Sequence, residues 1–254
     1  MQVDFGKTSE DYARFRAGFP KSLFDRLAGH SVGLAGQQIL DLGTGTGTLA
    51  RGFAVRGSTV TAVDVAAEQL AQARWLDELA GVQVEYHVAP AEETGLPDDN
   101  FDVVTAGQCW HWFDRPRAAA EVARLLRPGG TLVIAHYDWL PLAGNVVELT
   151  EELILRYNPT WRLGGGTGIY PLWFRDVAEA GFTQIESFTY DEPAIYSHEA
   201  WRGRVRASAP IGGSLPPAEV AGFDADLAAA LASRFPGEPL AVPHRVFALI
   251  CRKV

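Results

Sequence analysis

Cysteine is scarce in this chain: Cys109 and Cys251 are the only two among 254 residues. Both sit in apolar runs with no metal-ligand neighbour, so they read as buried free thiols of a reducing compartment and not as metal ligands. Positive charge is also short. The 22 Lys and Arg residues are outnumbered by 31 Asp and Glu, for a formal net charge of -9, and no Lys/Arg run occurs. A polynucleotide partner normally calls for a basic face, so nucleic acid is disfavoured. No apolar stretch reaches the ~20 residues of a membrane span. The first residues, MQVDFGKTSEDYARF, are polar and aromatic and lack the apolar core of a signal peptide. Internal repeats and long low-complexity tracts are missing too. The expectation is a soluble cytoplasmic protein, a monomer or homodimer, with no metal and no membrane or nucleic-acid partner. At 47% hydrophobic residues, the chain can bury one large core, or a core plus a cap.

What the chain does have is a concentrated glycine signal. Ile39-Leu40-Asp41-Leu42 is an apolar run, Gly43-Thr44-Gly45-Thr46-Gly47 breaks it, and Thr48-Leu49-Ala50 resumes as a helix. A buried strand, a tight turn and a helix start are the usual nucleotide-binding place in an open parallel sheet. Glycine serves where a side chain would block the ligand or where φ must be positive. The first N–H groups of the helix then face the ligand. The dinucleotide fingerprint G-x-G-x-x-G fits less well, because Thr48 stands where its last Gly or Ala belongs. Thr59–Asp64 is a β-branched strand ending in an acid about twenty residues beyond Gly43, where a carboxylate can accept both ribose hydroxyls. Asp64 would serve equally as the N-cap of a helix from Ala66.

The order Asp-Leu-Gly-Thr-Gly-Thr-Gly over Asp41–Gly47 resembles motif I of the class I S-adenosylmethionine (SAM) dependent methyltransferases. Ala91-Glu92 followed by Leu96-Pro97, and the turn Leu126-Arg127-Pro128-Gly129-Gly130, carry the resemblance through about residues 36–136. The run Gln108-Cys109-Trp110-His111-Trp112-Phe113-Asp114 is similar to a small-molecule subgroup that includes trans-aconitate methyltransferases. The resemblance implies a Rossmann-like α/β fold: a seven-stranded, mostly parallel sheet with an antiparallel C-terminal strand and a helical cap. It implies SAM as cofactor, with the loop backbone packed on its methionine part. The implied cofactor residues are Asp41, Gly43, Thr44, Gly45, Gly47, Asp64, Val65, Ala91, Glu92 and Gln108. Pro90 stands where many relatives carry an adenine-binding acid, which leaves adenine to the Ala91 backbone and Glu92.

Ligands in such sheets bind outside the carboxyl ends of the strands. Trp110, His111 and Trp112 follow the fourth strand, and His136, Tyr137, Asp138 and Trp139 follow the fifth strand at Thr131–Ala135. His111 and His136 are therefore candidate bases, and Trp110, Trp112, Tyr137 and Trp139 candidate walls of an acceptor pocket. An opening helix over 8–29 would place Tyr12 and Arg16 as a lid or as plain packing. For a carboxylate acceptor, Arg14, Arg16 and Arg162 are available.

Further elements are expected as helices over 48–56, 66–80, 116–126, 145–157 and 171–180, strands over 82–88, 182–190 and 244–251, and a mostly helical 195–235. Leu70, Ala73, Trp75 and Leu79 would face the core or a partner helix. Residues 1–254 then form one domain, with a SAM-binding core at about 36–138 and helical cap insertions at about 140–173 and 195–240. The implied activity is methyl transfer from SAM to a small molecule, on a carboxylate or hydroxyl oxygen. Two alternatives stay open. A SAM-binding protein that transfers no methyl, or runs another reaction, would carry the same loop. An NAD-dependent dehydrogenase shares the fold and Asp64 but lacks a recognisable hydride-transfer set.

Overall fold

The computed structural model describes residues 18–254. Its chain divides into two compact units. The larger takes in 18–137, 169–190 and 246–254, and the smaller includes 138–168 and 191–245.

The larger unit is organised by a seven-stranded sheet. Its strands are β1 (Gln38–Leu42), β2 (Thr59–Asp64), β3 (Glu85–Val88), β4 (Phe101–Gly107), β5 (Leu126–Trp139), β6 (Thr183–Asp191) and β9 (His244–Arg252), in the order β3-β2-β1-β4-β5-β9-β6. The pairs β1–β2, β1–β4, β2–β3 and β4–β5 are parallel, and β9 runs antiparallel. Ile39, Leu40 and Leu42 are fully buried, as a central strand covered on both faces requires. Register aligns the strand ends: Leu42 pairs with Val63 and with Ala106, and Gly107 pairs with Ala135. The turns that follow β1, β2, β4 and β5 therefore open at one edge, where parallel sheets bind ligands.

Helices α1 (Lys21–Gly29), α2 (Thr48–Ala54), α3 (Ala67–Ala80), α4 (Arg115–Leu125) and α6 (Pro171–Glu179) belong to this unit. Asp114 caps α4, its side chain accepting from the Arg117 N–H, with Pro116 in the first turn. Helix α1 buries Leu23, Phe24 and Leu27, and Phe24 meets Phe53 edge-on at 5.2 Å, a geometry worth about 0.5–1.5 kcal/mol beyond its burial. The expected start of this helix at residue 8 lies outside the described residues.

Four expectations need correction. The fifth strand is Leu126–Trp139 and not Thr131–Ala135, and the Leu126–Gly130 segment expected as a turn belongs to it, with Gly129 and Gly130 bonded to Lys253. On α3, Leu70 and Ala73 are buried, but Trp75 and Leu79 are 53% and 67% exposed, because they fall on the opposite face. The third strand is only Glu85–Val88, since β2 offers it just four register partners, Thr61 to Asp64. The N-cap of α3 is Ala66, and Asp64 does other work, described below.

The smaller unit holds α5 (Val146–Tyr157), α7 (His198–Arg206) and α8 (Pro217–Arg234), with a two-stranded antiparallel sheet of β7 (Ala194–Tyr196) and β8 (Leu240–Val242). That small sheet is not legible in the sequence, because three-residue strands carry no usable periodicity. Asn145 caps α5 by accepting from the Val147 and Glu148 N–H groups. Trp201, Phe223, Leu227 and Leu231 form its buried interior, and Arg202 and Arg206 both pair with Asp224. Among the described residues no helix is long and apolar enough to cross a membrane.

Candidate cofactor and acceptor site

The glycine loop takes the shape its sequence demands. Gly43, Gly45 and Gly47 have φ of 57°, 56° and 77°, all left-handed, a region costly to residues with a Cβ. Two of the three are also packed tightly. A Cβ on Gly43 would stand 2.9 Å from the Cβ of Cys109, and one on Gly47 would stand 2.7 Å from the Tyr86 hydroxyl. The Cys109 thiol, buried as expected, donates to the Leu42 carbonyl at 3.2 Å. Cys251 is buried too, and burial pushes its thiol up to about 12.

Asp41 lies beneath the loop, only 2% exposed. Its two oxygens accept from the Thr44 and Thr105 hydroxyls, each at 2.6 Å. The β1–β4 register, which sets Asp41 beside Thr105, makes the second bond. Burial pushes the carboxyl up to about 6, against the pull of those two hydroxyls and the Ala50 N–H. Asp41 thus supports the loop through Thr44. Thr105 is a partner of Asp41 that the motif does not mark, since the pairing depends on strand order.

Asp64 sits at the end of β2, half-buried, and reaches both neighbouring segments. One oxygen accepts the Gly45 N–H at 2.8 Å and the other the Ala66 N–H at 2.9 Å. Burial raises its pKa, and the backbone donors oppose that. Val65, next along, is 68% exposed at the same edge. The Thr44 N–H donates to the Val63 carbonyl at 3.0 Å, so loop and β2 are joined twice. Ala91 is buried and Glu92 half-buried, the latter accepting the Asp114 N–H at 2.8 Å. Gln108, at φ 63°, turns the chain after β4, its N–H donating to the Ala135 carbonyl and its side-chain amide to that of Tyr137.

The residues after β4 divide sharply. Trp110 is fully buried in the apolar core, edge-on to Phe113 at 5.9 Å, and its indole N–H has no acceptor among the described residues. His111 and Trp112 are exposed, their rings 4.6 Å apart, on a short 3-10 turn spanning Trp110–Trp112. His136 on β5 is 1% exposed, with its ring 5.4 Å from that of His111. The His136 ring also meets Tyr170 at 4.6 Å and Trp173 at 4.9 Å, themselves stacked at 3.8 Å. Those two aromatics flank Pro171 at the start of α6, far along the chain, so no local pattern links them to His136. Tyr137 is buried.

Trp139 belongs to the smaller unit. There its indole N–H donates to Glu151 at 2.9 Å, and the Arg204 guanidinium lies 4.9 Å from its ring. Arg162 is exposed and donates to the Pro159 carbonyl at 3.1 Å. Tyr12, Arg14 and Arg16 lie outside the described residues. Among the described residues no group of three or more His, Cys, Asp or Glu side chains converges on a metal position.

Residues 40–134, the span that builds this edge, match the family described as a methyltransferase domain. A ubiquinone biosynthesis O-methyltransferase of Xanthomonas euvesicatoria is 31% identical over 177 residues, covering 69% of this chain and 72% of that protein. The chain belongs to the class I SAM-dependent methyltransferases. An uncharacterised methyltransferase of Mycobacterium bovis is 40% identical over 151 residues, a match that spans 59% of each protein. Among solved structures, a protein of Anaeromyxobacter dehalogenans assigned as a type II methyltransferase superposes with a TM-score of 0.61 at 28% identity, covering 94% of this chain and 97% of that one. The methyltransferase's sheet order thus sits in a recognised framework.

Proposed function

We propose that this chain transfers the methyl group of SAM to an oxygen, carboxylate or hydroxyl, of a small-molecule acceptor. The observation that carries the reading is the glycine loop itself: three left-handed glycines at one sheet edge, tied by Asp64 and supported by Asp41, in a chain of methyltransferase family. The likeness to an O-methyltransferase favours oxygen as the acceptor atom. When bound, SAM supplies an activated methyl on a sulfonium, passed in line to the acceptor with S-adenosylhomocysteine as the product.

The chain's own contribution is binding and orientation. Gly43, Thr44, Gly45 and Gly47 present backbone to the methionine part. Asp64 and Val65 take the ribose, and Ala91, Glu92 and Gln108 the adenine side. Asp41 acts through Thr44. On the acceptor side we assign His111 as the group that takes a proton from a hydroxyl acceptor, since it is the exposed imidazole of the pair. His136, enclosed by Tyr170 and Trp173, backs it. A carboxylate acceptor needs no base and calls on orientation alone. Trp112 and Tyr137 are proposed for the acceptor pocket.

The test is calorimetry with S-adenosylhomocysteine and with NAD, followed by transfer of labelled methyl from SAM across a panel of carboxylic acids, phenols and amines. Binding of S-adenosylhomocysteine and a labelled oxygen ester or ether are expected. Binding of NAD alone overturns the cofactor assignment. Tight S-adenosylhomocysteine binding with no labelled product across the panel would point to a SAM-binding protein with another role.

A further inference from the structure

We infer that Arg51, Asp77 and Tyr86 are positioning residues for the cofactor, a triad of a half-buried cation and two buried partners that holds the floor of the glycine loop where SAM is to bind. The inference rests on the SAM reading above and concerns side chains that no part of the loop motif contains.

The three residues come from three separate segments: Arg51 from α2, Asp77 from α3 and Tyr86 from β3. Asp77 is 3% exposed, and both its oxygens are engaged. One accepts from Arg51 Nη1 at 2.8 Å, the other from the Tyr86 hydroxyl at 2.7 Å. The guanidinium goes on to the loop: Nη2 donates to the Thr46 carbonyl at 2.9 Å. Burial and the adjacent Asp77 carboxylate raise the Tyr86 pKa, so the phenol stays a donor.

Geometry explains why this acts on the loop and not only on the core. The Tyr86 hydroxyl and Arg51 Nη1 lie directly under Gly47, 2.7 and 3.4 Å from where its Cβ would stand. With the Thr46 carbonyl drawn down to Arg51, and the Gly47 N–H spent on the Thr44 carbonyl at 2.9 Å, the peptide between Thr46 and Gly47 has one orientation. That orientation sets the entry angle of α2, whose first-turn N–H groups face the ligand. A buried carboxylate shared between one cation and one hydroxyl is costly to break, because the remaining partner is left charged and unpaired. The triad is therefore stiff, and the loop inherits that stiffness before any ligand arrives, which favours affinity.

The experiment uses the full chain and two probes. S-adenosylhomocysteine carries the amino-acid tail expected over the loop, and adenosine lacks it. Tyr86→Phe deletes one hydroxyl without changing shape, Asp77→Asn weakens both bonds, and Arg51→Lys keeps the charge but cannot span Thr46 and Asp77 together. Each variant is expected to bind S-adenosylhomocysteine about tenfold more weakly, the scale of one charge-assisted hydrogen bond, with adenosine affinity within about twofold of the parent. A role in folding alone would lower Tm and leave the ratio of the two affinities unchanged. Should Asp77→Asn fail to fold, Tyr86→Phe decides. A parent that binds S-adenosylhomocysteine, with Tyr86→Phe binding it equally well or losing both probes in parallel, overturns the inference alone. A parent that binds no S-adenosylhomocysteine overturns the cofactor reading and this one together.

Discussion

The carboxylate of Asp64 closes on Gly45, accepting its N–H at 2.8 Å across the gap between β2 and the loop after β1. Its second oxygen takes the Ala66 N–H, so one acid sets both the loop and the start of the segment leading into α3. Asp64→Ala is predicted to weaken S-adenosylhomocysteine binding by ten- to a hundredfold, on the basis of about 1.5–3 kcal/mol for a charge-assisted hydrogen bond. Tm should fall as well, because the Gly45 and Ala66 N–H groups lose their acceptor. Calorimetry at parental affinity would reduce Asp64 to a clasp of the loop.

The two histidines should separate by observable. His111→Ala is predicted to slow methyl transfer to a hydroxyl acceptor by about 10²–10⁴-fold, the usual worth of a general base, with cofactor affinity intact. His136→Ala should instead cost stability, on the order of 2–5 kcal/mol, because it leaves a hole beside the stacked rings of Tyr170 and Trp173. Turnover rates and denaturant midpoints of both variants check this. Loss of S-adenosylhomocysteine binding in His111→Ala would move that residue to the cofactor side.

Two buried groups give opposing pH dependences. Asp41 titrates at about 6 when folded against 3.8 ordinarily, so the folded state holds its proton longer. Its contribution is most favourable at low pH and is lost as pH rises from about 4 to 6. His244 is pushed down to about 4 from 6.5, chiefly by burial, so its neutral form favours folding above 6.5 and that stability is lost as pH falls towards 4. The two largely offset each other in the parent. Asp41→Asn should make the protein lose more stability than the parent between pH 6.5 and 4, and His244→Gln should make it gain. Urea midpoints at pH 4.5 and 7 test both signs, and parallel curves for all three proteins would refute the assignment.

Gly47→Ala faces a double penalty. Its φ of 77° costs an L-residue about 1–2 kcal/mol, and the added Cβ would press on the Tyr86 hydroxyl at 2.7 Å. The prediction is a drop in Tm together with loss of S-adenosylhomocysteine binding. Gly129→Ala is the control, since φ is also 77° there but the Cβ position is open. Equal losses in the two variants would show that backbone strain alone is at work.

By itself the sequence determined the strand–loop–helix at 39–50 and the acid ending β2. Each depends on neighbours in the chain: hydrophobic runs and glycines at alternate positions. The halves of α3 show where such reasoning stops, since Trp75 and Leu79 share a helix with buried Leu70 and Ala73 yet face solvent. Only the tertiary structure decided which partners each loop residue keeps. Thr105 reaches Asp41 because β4 lies beside β1. Tyr170 and Trp173 enclose His136 because α6 packs there. Arg51, Asp77 and Tyr86 meet under Gly47 because three segments converge. Hydrogen bonds and packing contacts act over a few ångströms, and in these cases the partners come from different elements, 9 to 64 residues apart in the chain, so no local pattern records them.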